Sequence, residues 1–207
     1  MNLIQRFMRL FFRLLYHTFA FTYDLVAAMV SFGDWKNWVY SILPFIKGTL
    51  LLELGHGPGH LQRLLRDRGL VAIAIDESTQ MGKIAKRRLG SSQKLTRGLA
   101  QSLPFQSGIF DTIVSTFPTD YIFQEKTLTE VKRCLSDTGR LIVLPVAFPK
   151  NGFLKWLYKI TGESPDELTE SIKKRSLQPF LNAGFYAEVE IVEVKSNRLL
   201  IIVAMKK

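Results

Sequence analysis

A chain of 207 residues suits one domain with a single substantial core. Apolar residues make up 47% and charged residues 22%, a balance that excludes wholesale disorder. The lone cysteine, Cys134, excludes an internal disulfide, and a net charge of +10 points towards an anionic partner such as nucleic acid or a membrane surface.

Residues 3–17 have helical periodicity. Gln5, Arg6, Arg9, Arg13, Tyr16 and His17 gather on one side, with Ile4, Phe7, Met8, Phe11, Leu14 and Leu15 on the other. The arginines lie within the apolar run rather than ahead of it. The segment therefore reads neither as a cleaved secretory signal nor as a bilayer span, which needs about 20 apolar residues. Its character is that of an amphipathic helix able to lie on an anionic membrane or to cap the domain as a lid. A second helical stretch, 23–46, is broken at Ser31-Phe32-Gly33-Asp34. Residues 1–46 thus read as a helical extension or lid, and 47–207 as the main domain.

From Thr49 the pattern changes. Thr49 to Leu54 is a short apolar run expected to be a buried strand. It ends in Gly55-His56-Gly57-Pro58-Gly59, followed by a helix over 60–68. Val71 to Ile75 is a second buried strand ending at Asp76, and Ser78 is placed to cap a helix running to about Leu89. Lys94 to Arg97 is a weak edge strand, Asp111 to Thr116 a fourth strand and Lys126 to Leu135 a helix. Asp137-Thr138-Gly139 turns into an apolar strand over 140–146. Strands alternating with helices predict a parallel sheet covered on both faces. Only Lys195-Ser196-Asn197 separates the last two strands, 186–194 and 198–205, too short a link for anything but an antiparallel hairpin. The expected fold is α/β and Rossmann-like: a mostly parallel seven-stranded sheet with an antiparallel C-terminal hairpin. The basic runs Arg63/Arg66/Arg68, Lys83/Lys86/Arg87/Arg88 and Lys173/Lys174/Arg175 read as solvated helix faces, and Cys134 as a buried small hydrophobe.

Chemistry concentrates at the first strand-to-helix junction. Glycines let the backbone turn tightly and approach a ligand, and the following helix presents unpaired N–H groups. Asp76, ending the next strand, is placed to accept hydrogen bonds from a ribose diol. Together they describe a site for an adenosine-containing ligand. A dinucleotide fingerprint requires a third glycine where this chain has His60. The pattern is instead Gly-x-Gly-x-Gly, with Glu53 two residues ahead.

That pattern resembles motif I of the class I S-adenosylmethionine-dependent methyltransferases. The segments Gly98-Leu99-Ala100-Gln101-Ser102-Leu103-Pro104-Phe105, Phe110-Asp111-Thr112-Ile113-Val114, Glu130-Val131-Lys132-Arg133-Cys134-Leu135 and Gly139-Arg140-Leu141-Ile142-Val143 are similar to that superfamily in the same order. The resemblance implies S-adenosyl-L-methionine as cofactor and S-adenosyl-L-homocysteine as product, with no metal. It implies cofactor contacts from Glu53, Gly55, His56, Gly57, Gly59, Asp76, Glu77, Leu99, Ala100, Gln101 and Thr116. Leu99 stands where the family usually carries an Asp that contacts the adenine amino group, leaving the Ala100 N–H and the Gln101 side chain as substitutes.

Tyr23-Asp24-Leu25-Val26, Ser31-Phe32-Gly33 and Trp38 are similar to the opening of the menaquinone and ubiquinone C-methyltransferases, a look shared by bacterial phosphatidylethanolamine N-methyltransferases. That likeness implies that Tyr23 closes over the cofactor. It also implies a small lipophilic acceptor, quinone or phospholipid, met by a cytoplasmic protein at a membrane face. Asp120 and Tyr121, just after the fourth strand, are the candidate catalytic residues. Nucleic-acid methylation is disfavoured, because Thr116-Phe117-Pro118-Thr119 lacks the Asn/Asp-Pro-Pro-aromatic signature of base-amino methylation. A methyltransferase for RNA or another soluble acceptor, and a non-catalytic adenosyl-ligand or membrane-binding module, remain as alternatives.

Overall fold

The computed structural model describes residues 34–90, 93–149, 170–195 and 197–206. Tyr23 and the amphipathic segment 3–17 lie outside the described residues. Helix α1 (Trp35–Tyr40) and a 3-10 turn (Leu43–Phe45) lead into β1 (Leu51–Leu54). Then come α2 (His60–Asp67), β2 (Ala72–Asp76), α3 (Thr79–Leu89), β3 (Lys94–Arg97) and β4 (Phe110–Thr116). A second 3-10 turn (Asp120–Phe123) is followed by α4 (Glu125–Cys134), β5 (Leu135–Pro149), α5 (Glu170–Asn182), β6 (Phe185–Val194) and β7 (Asn197–Lys206).

The seven strands form one sheet in the order β3-β2-β1-β4-β5-β7-β6. β1 to β5 pair in parallel, and β7 runs antiparallel to both β5 and β6. The expected mostly parallel sheet with a C-terminal antiparallel hairpin is what the chain forms. The order reverses at β1, because the chain steps outward through β2 and β3 and returns to place β4 on the other side. Loops at the carboxyl ends of β1 and β4 therefore diverge and open a crevice.

Alternation along each buried strand feeds two cores. Leu52, Leu54, Ile113, Leu141, Val143, Leu200 and Ile202 pack with Leu128, Val131 and Cys134 of α4 and Phe180 of α5. Leu51, Val114, Ile142, Leu144, Leu199 and Ile201 pack with Trp38 and Ile42 of the N-terminal elements and with Leu61, Leu64 and Leu65 of α2. A strand buried on both faces has no reason to alternate polar with apolar, which is why these runs are continuous. Within the second helical stretch, the described helix is confined to α1 and ends well before Ile46. Pro44 sits inside the 3-10 turn, where its fixed φ is tolerated.

β5 is longer than the predicted strand and starts at Leu135. Phe110 pairs with Leu135 and Thr112 with Arg140, so the Asp137–Gly139 segment is a bulge inside the strand rather than a turn before it. Gly139 is required there by close approach: a Cβ would stand 2.8 Å from the Phe110 carbonyl oxygen and 3.0 Å from the Ser136 nitrogen. Pro145, which lacks an N–H for the ladder, falls in a second irregularity between Val143 and Val146.

The loop that carries Leu99 and Gln101 is latched to α4. Arg133 meets the Glu130 carboxylate with two nitrogens at 2.8 Å each and donates to the carbonyls of Phe105 at 2.8 Å and Leu103 at 3.0 Å. Glu130 in turn accepts from the Leu103 N–H at 2.8 Å. The Arg133 guanidinium holds the Glu130 carboxyl below its ordinary range. The "Glu-x-x-Arg" spacing is thus a bidentate clamp one helical turn long.

The Gly139 approach gives a direct test of the bulge. Gly139→Ala should overpack this site and lower the unfolding free energy by about 1–3 kcal/mol in urea titration, with the m-value unchanged.

Candidate active site

The glycine loop is built between β1 and α2. Gly55 has φ +72° and donates its N–H to the Ile75 carbonyl at 2.8 Å, which continues the β1–β2 ladder one step past the strand. A Cβ at Gly55 would lie 2.6 Å from the Tyr121 hydroxyl, so conformation and space both demand glycine. At Gly57 a Cβ would meet nothing within 4 Å. Its half-buried backbone therefore faces open space on the side where a ligand would approach. Ser78 caps α3 as expected, accepting from the Met81 N–H at 3.2 Å.

Asp76 joins the two loops. One carboxylate oxygen accepts the Gly57 N–H and the other the Ser78 N–H, each at 2.8 Å. A carboxylate offers about four lone-pair sites. Two backbone bonds therefore orient it and leave each oxygen able to accept a further O–H, the requirement of a ribose diol.

Beside Asp76 a cleft of about 650 Å³ is lined by Glu77, Ser78, Thr79, Gln80, Arg97, Gly98 and Leu99. Arg97 donates to the Glu77 carbonyl at 3.2 Å and Gly98 to the Asp76 carbonyl at 3.1 Å, which ties the floor of the cleft to β2. Leu99 is 50% exposed, an apolar side chain presented to the opening. Ala100 is half-buried next to it. The Gln101 side-chain amide nitrogen donates to the side-chain Oε1 of Gln124 at 2.9 Å, so its side chain is turned towards the residue that follows the 3-10 turn.

The remaining candidates divide between buried and exposed. Glu53 is 2% exposed and accepts from Gln62 at 2.7 Å; burial pushes its carboxyl up to about 8, so it is largely neutral at pH 7. His56 is buried with Nδ1 2.7 Å from the Gly57 carbonyl oxygen. At Gly59 a Cβ would come within 2.7 Å of Leu89, where α3 crosses the start of α2. His60 and Arg88 meet at 3.1 Å, and Arg88 also donates to the Pro58 carbonyl at 3.0 Å, a brace on the outside of the loop. Thr116 closes β4 half-buried, followed by Phe117 at φ +49°. That backbone is costly for a bulky side chain. It is held by the Phe117 N–H donating to the Leu144 carbonyl at 2.7 Å and by ring contact with Trp35 at 4.2 Å.

Asp120 and Tyr121 form the 3-10 turn after β4 at the same edge of the crevice, but differ in environment. Asp120 is exposed. The Tyr121 hydroxyl lies 3.0 Å from the Leu54 carbonyl oxygen and 2.8 Å from Ser115 Oγ, which is itself 2.9 Å from the same carbonyl. Two hydroxyl protons serve three contacts, so one hydroxyl donates to the carbonyl and the other to its neighbour. That places Tyr121 as a clamp on the end of β1.

Gln62 and Ser115 carry functions that the motif spacings do not mark. Gln62 had a readable signal: a polar residue between Leu61 and Leu64–Leu65 on the buried face of α2. Ser115, in an otherwise apolar strand, had a weaker one.

This geometry, a glycine loop and a strand-end acid at the switch point of a Rossmann-like sheet, defines a domain for an adenosine-bearing ligand. Residues 52–143 match the family described as "Methyltransferase domain", and this segment is a methyltransferase-family domain. The demethylmenaquinone methyltransferase of Thermotoga maritima is 32% identical over 148 residues, covering 69% of this chain and 62% of that protein. The ubiquinone/menaquinone biosynthesis C-methyltransferase UbiE of Wigglesworthia glossinidia brevipalpis is 26% identical over 160 residues, covering 70% of this chain and 63% of that one. The matched region thus spans a little over three-fifths of these curated relatives. Among solved structures, a SAM-dependent methyltransferase of Thermotoga maritima has a TM-score of 0.62 at 18% identity, covering 93% of this chain and all of that one. The geranyl diphosphate C-methyltransferase of Streptomyces coelicolor A3(2), solved with Mg2+, geranyl diphosphate and S-adenosyl-L-homocysteine, has a TM-score of 0.58 at 13% identity. It covers 83% of this chain and 78% of that one. These two likenesses carry the fold.

The crowding of Gly55 by Tyr121 predicts a coupled pair. Tyr121→Phe should cost about 1 kcal/mol of stability. Gly55→Ala should cost more, and combining the two should recover part of that loss in a thermal double-mutant cycle.

Proposed function

We propose that this protein is an S-adenosylmethionine-dependent methyltransferase acting on a small lipophilic acceptor of quinone type at a membrane surface. The observation that carries the reading is Asp76, oriented by Gly57 and Ser78 and followed directly by the cleft residues Glu77 and Ser78, within the segment that matches the methyltransferase-domain family. The residues fit the cofactor. Asp76 keeps lone pairs for a ribose diol, the open side of Gly57 admits the close approach of a ligand, and Leu99 offers an apolar wall to a purine. Leu99 supplies no acceptor for an exocyclic amine, which costs on the order of 1 kcal/mol of affinity without abolishing binding.

When bound, the cofactor supplies an activated methyl on its sulfonium. The protein's own task is to align an acceptor in line with that methyl and to exclude water. No general base is obligatory. A quinol carbon becomes nucleophilic when its ring hydroxyl is polarised or deprotonated, and the exposed Asp120 carboxylate is our candidate to receive such a proton. Tyr121 keeps the end of β1, and with it Gly55, in register for the transfer.

The quinone-type acceptor is supported by the names of the relatives. The membrane setting is supported by the sequence of residues 3–17, apolar on one side and arginine-bearing on the other, and by the solubility of such acceptors in lipid. No helix among the described residues is long and apolar enough to cross a membrane. The extension 1–46, Tyr23 included, is proposed as the lid over the crevice.

Two measurements test this. Calorimetric titration should show binding of S-adenosyl-L-homocysteine but not NAD, with the affinity reduced at least about tenfold in Asp76→Asn, a loss of roughly 1.4 kcal/mol. Absence of binding by folded wild type would refute the cofactor assignment. With methyl-labelled S-adenosylmethionine, label should enter reduced demethylmenaquinone presented in anionic vesicles. Label entering phosphatidylethanolamine or RNA instead would overturn the acceptor class.

A further inference from the structure

Glu53 lies in β1 between Ala74 of β2 and Val114 of β4, sealed at 2% exposure. The partner of its carboxylate, Gln62 on α2, is 1% exposed. Gln62 donates its amide nitrogen to Glu53 at 2.7 Å, while its own Oε1 is buried without a hydrogen-bond partner among the described residues. An orphaned carbonyl oxygen beside a buried carboxylate is a conflict, since both groups only accept. A neutral carboxylic acid resolves it by providing the one missing donor.

We propose that Glu53 and Gln62 close an eight-membered acid–amide ring and act as the positioning clamp of the glycine loop. In the ring the acid O–H donates to the Gln62 carbonyl and the Gln62 amide donates back. The clamp joins the end of β1 to the first turns of α2, and residues 55–59 are the segment strung between those two anchors. The inference deepens the cofactor reading: Glu53 serves the site as a neutral residue beneath it, not as an anion facing the ligand.

The surroundings agree. Ala74 of β2 and Val114 of β4 flank Glu53 in the sheet, and α2 contributes Gln62. His56 is engaged with the Gly57 carbonyl, and Asp76 is the charged group that acts on Glu53, disfavouring a second negative charge. Desolvation is the larger influence and moves the carboxyl from 4.5 to about 8. The sign follows from linkage. The folded protein holds this proton more tightly than the unfolded chain, so the stabilisation is complete below about pH 4.5 and is lost as pH rises to about 8.

The test compares wild type, Glu53→Gln and Gln62→Leu by thermal unfolding across this range and by S-adenosyl-L-homocysteine calorimetry near neutrality. Glu53→Gln can form the equivalent amide–amide ring without ionising. It should bind the ligand within about threefold of wild type, and the wild-type Tm should fall relative to it by several degrees between about pH 5 and 8, then stay level. Gln62→Leu, which cannot close the ring, should weaken the ligand at least about tenfold. Should that variant fail to fold, Glu53→Gln decides alone. Parallel Tm profiles, or a loss of about tenfold or more in Glu53→Gln, would overturn the clamp and make an ionised Glu53 the functional form. If wild type binds no S-adenosyl-L-homocysteine, the cofactor reading fails, while the Tm profiles still decide the state of the ring.

Discussion

The Asp76 carboxylate, held between the Gly57 and Ser78 amides, is the contact on which the rest of the site depends. It is a charge-assisted pair of bonds at the open edge of the sheet, where backbone N–H groups of a glycine turn and of a helix start would otherwise meet only solvent. By binding both, Asp76 fixes the glycine loop relative to the start of α3. The same bonds choose which lone pairs remain for a ligand. A single side chain thereby ties two loops together.

Behind that tie, hydrogen bonds at both ends of β1 and a clamp on α4 hold the sheet and its loops. Ser115, Tyr121 and the Leu54 carbonyl close the end of β1, while the Asp111 carboxylate accepts the Thr49 and Leu50 N–H groups at 2.8 and 3.0 Å at its beginning. Those two backbone donors keep the Asp111 carboxyl below its ordinary range. The Glu130–Arg133 clamp secures the loop on the far side of the cleft. Surface pairs such as Arg63–Asp67, at 3.9 Å and exposed, add little by comparison. Order at the end of β1 thus comes from hydroxyls and a carbonyl that are largely shielded from water.

The site also divides its carboxylates by environment. Asp76 is half-buried and Asp120 exposed, both within reach of solvent. Glu53, a strand neighbour of the glycine loop, is buried and works as a neutral acid. Desolvation by the surrounding sheet and helix is what sets Glu53 apart from an ordinary surface carboxylate.

Much of this was legible in the sequence. Continuous apolar runs marked β1, β2 and β5 because both faces of the sheet are covered, and the short link at Lys195 dictated the β6–β7 hairpin. Ser78 as a cap and Cys134 as a core residue followed from local pattern. The Gly-x-Gly-x-Gly spacing and Asp76 located the site, since a turn with positive φ and a strand-end acid are local requirements. Tertiary structure decided what depends on pairing across distance. It made Asp137–Gly139 a bulge, because Phe110 takes Leu135 as its partner. It turned Gln101 to Gln124, committed the Tyr121 hydroxyl to Leu54 and Ser115, and buried Glu53 against Gln62. Periodicity and spacing report which residues can share a face or a turn. Which donor meets which acceptor is settled only when the sheet brings segments some 60 residues apart, such as Leu54 and Ser115, within hydrogen-bond reach.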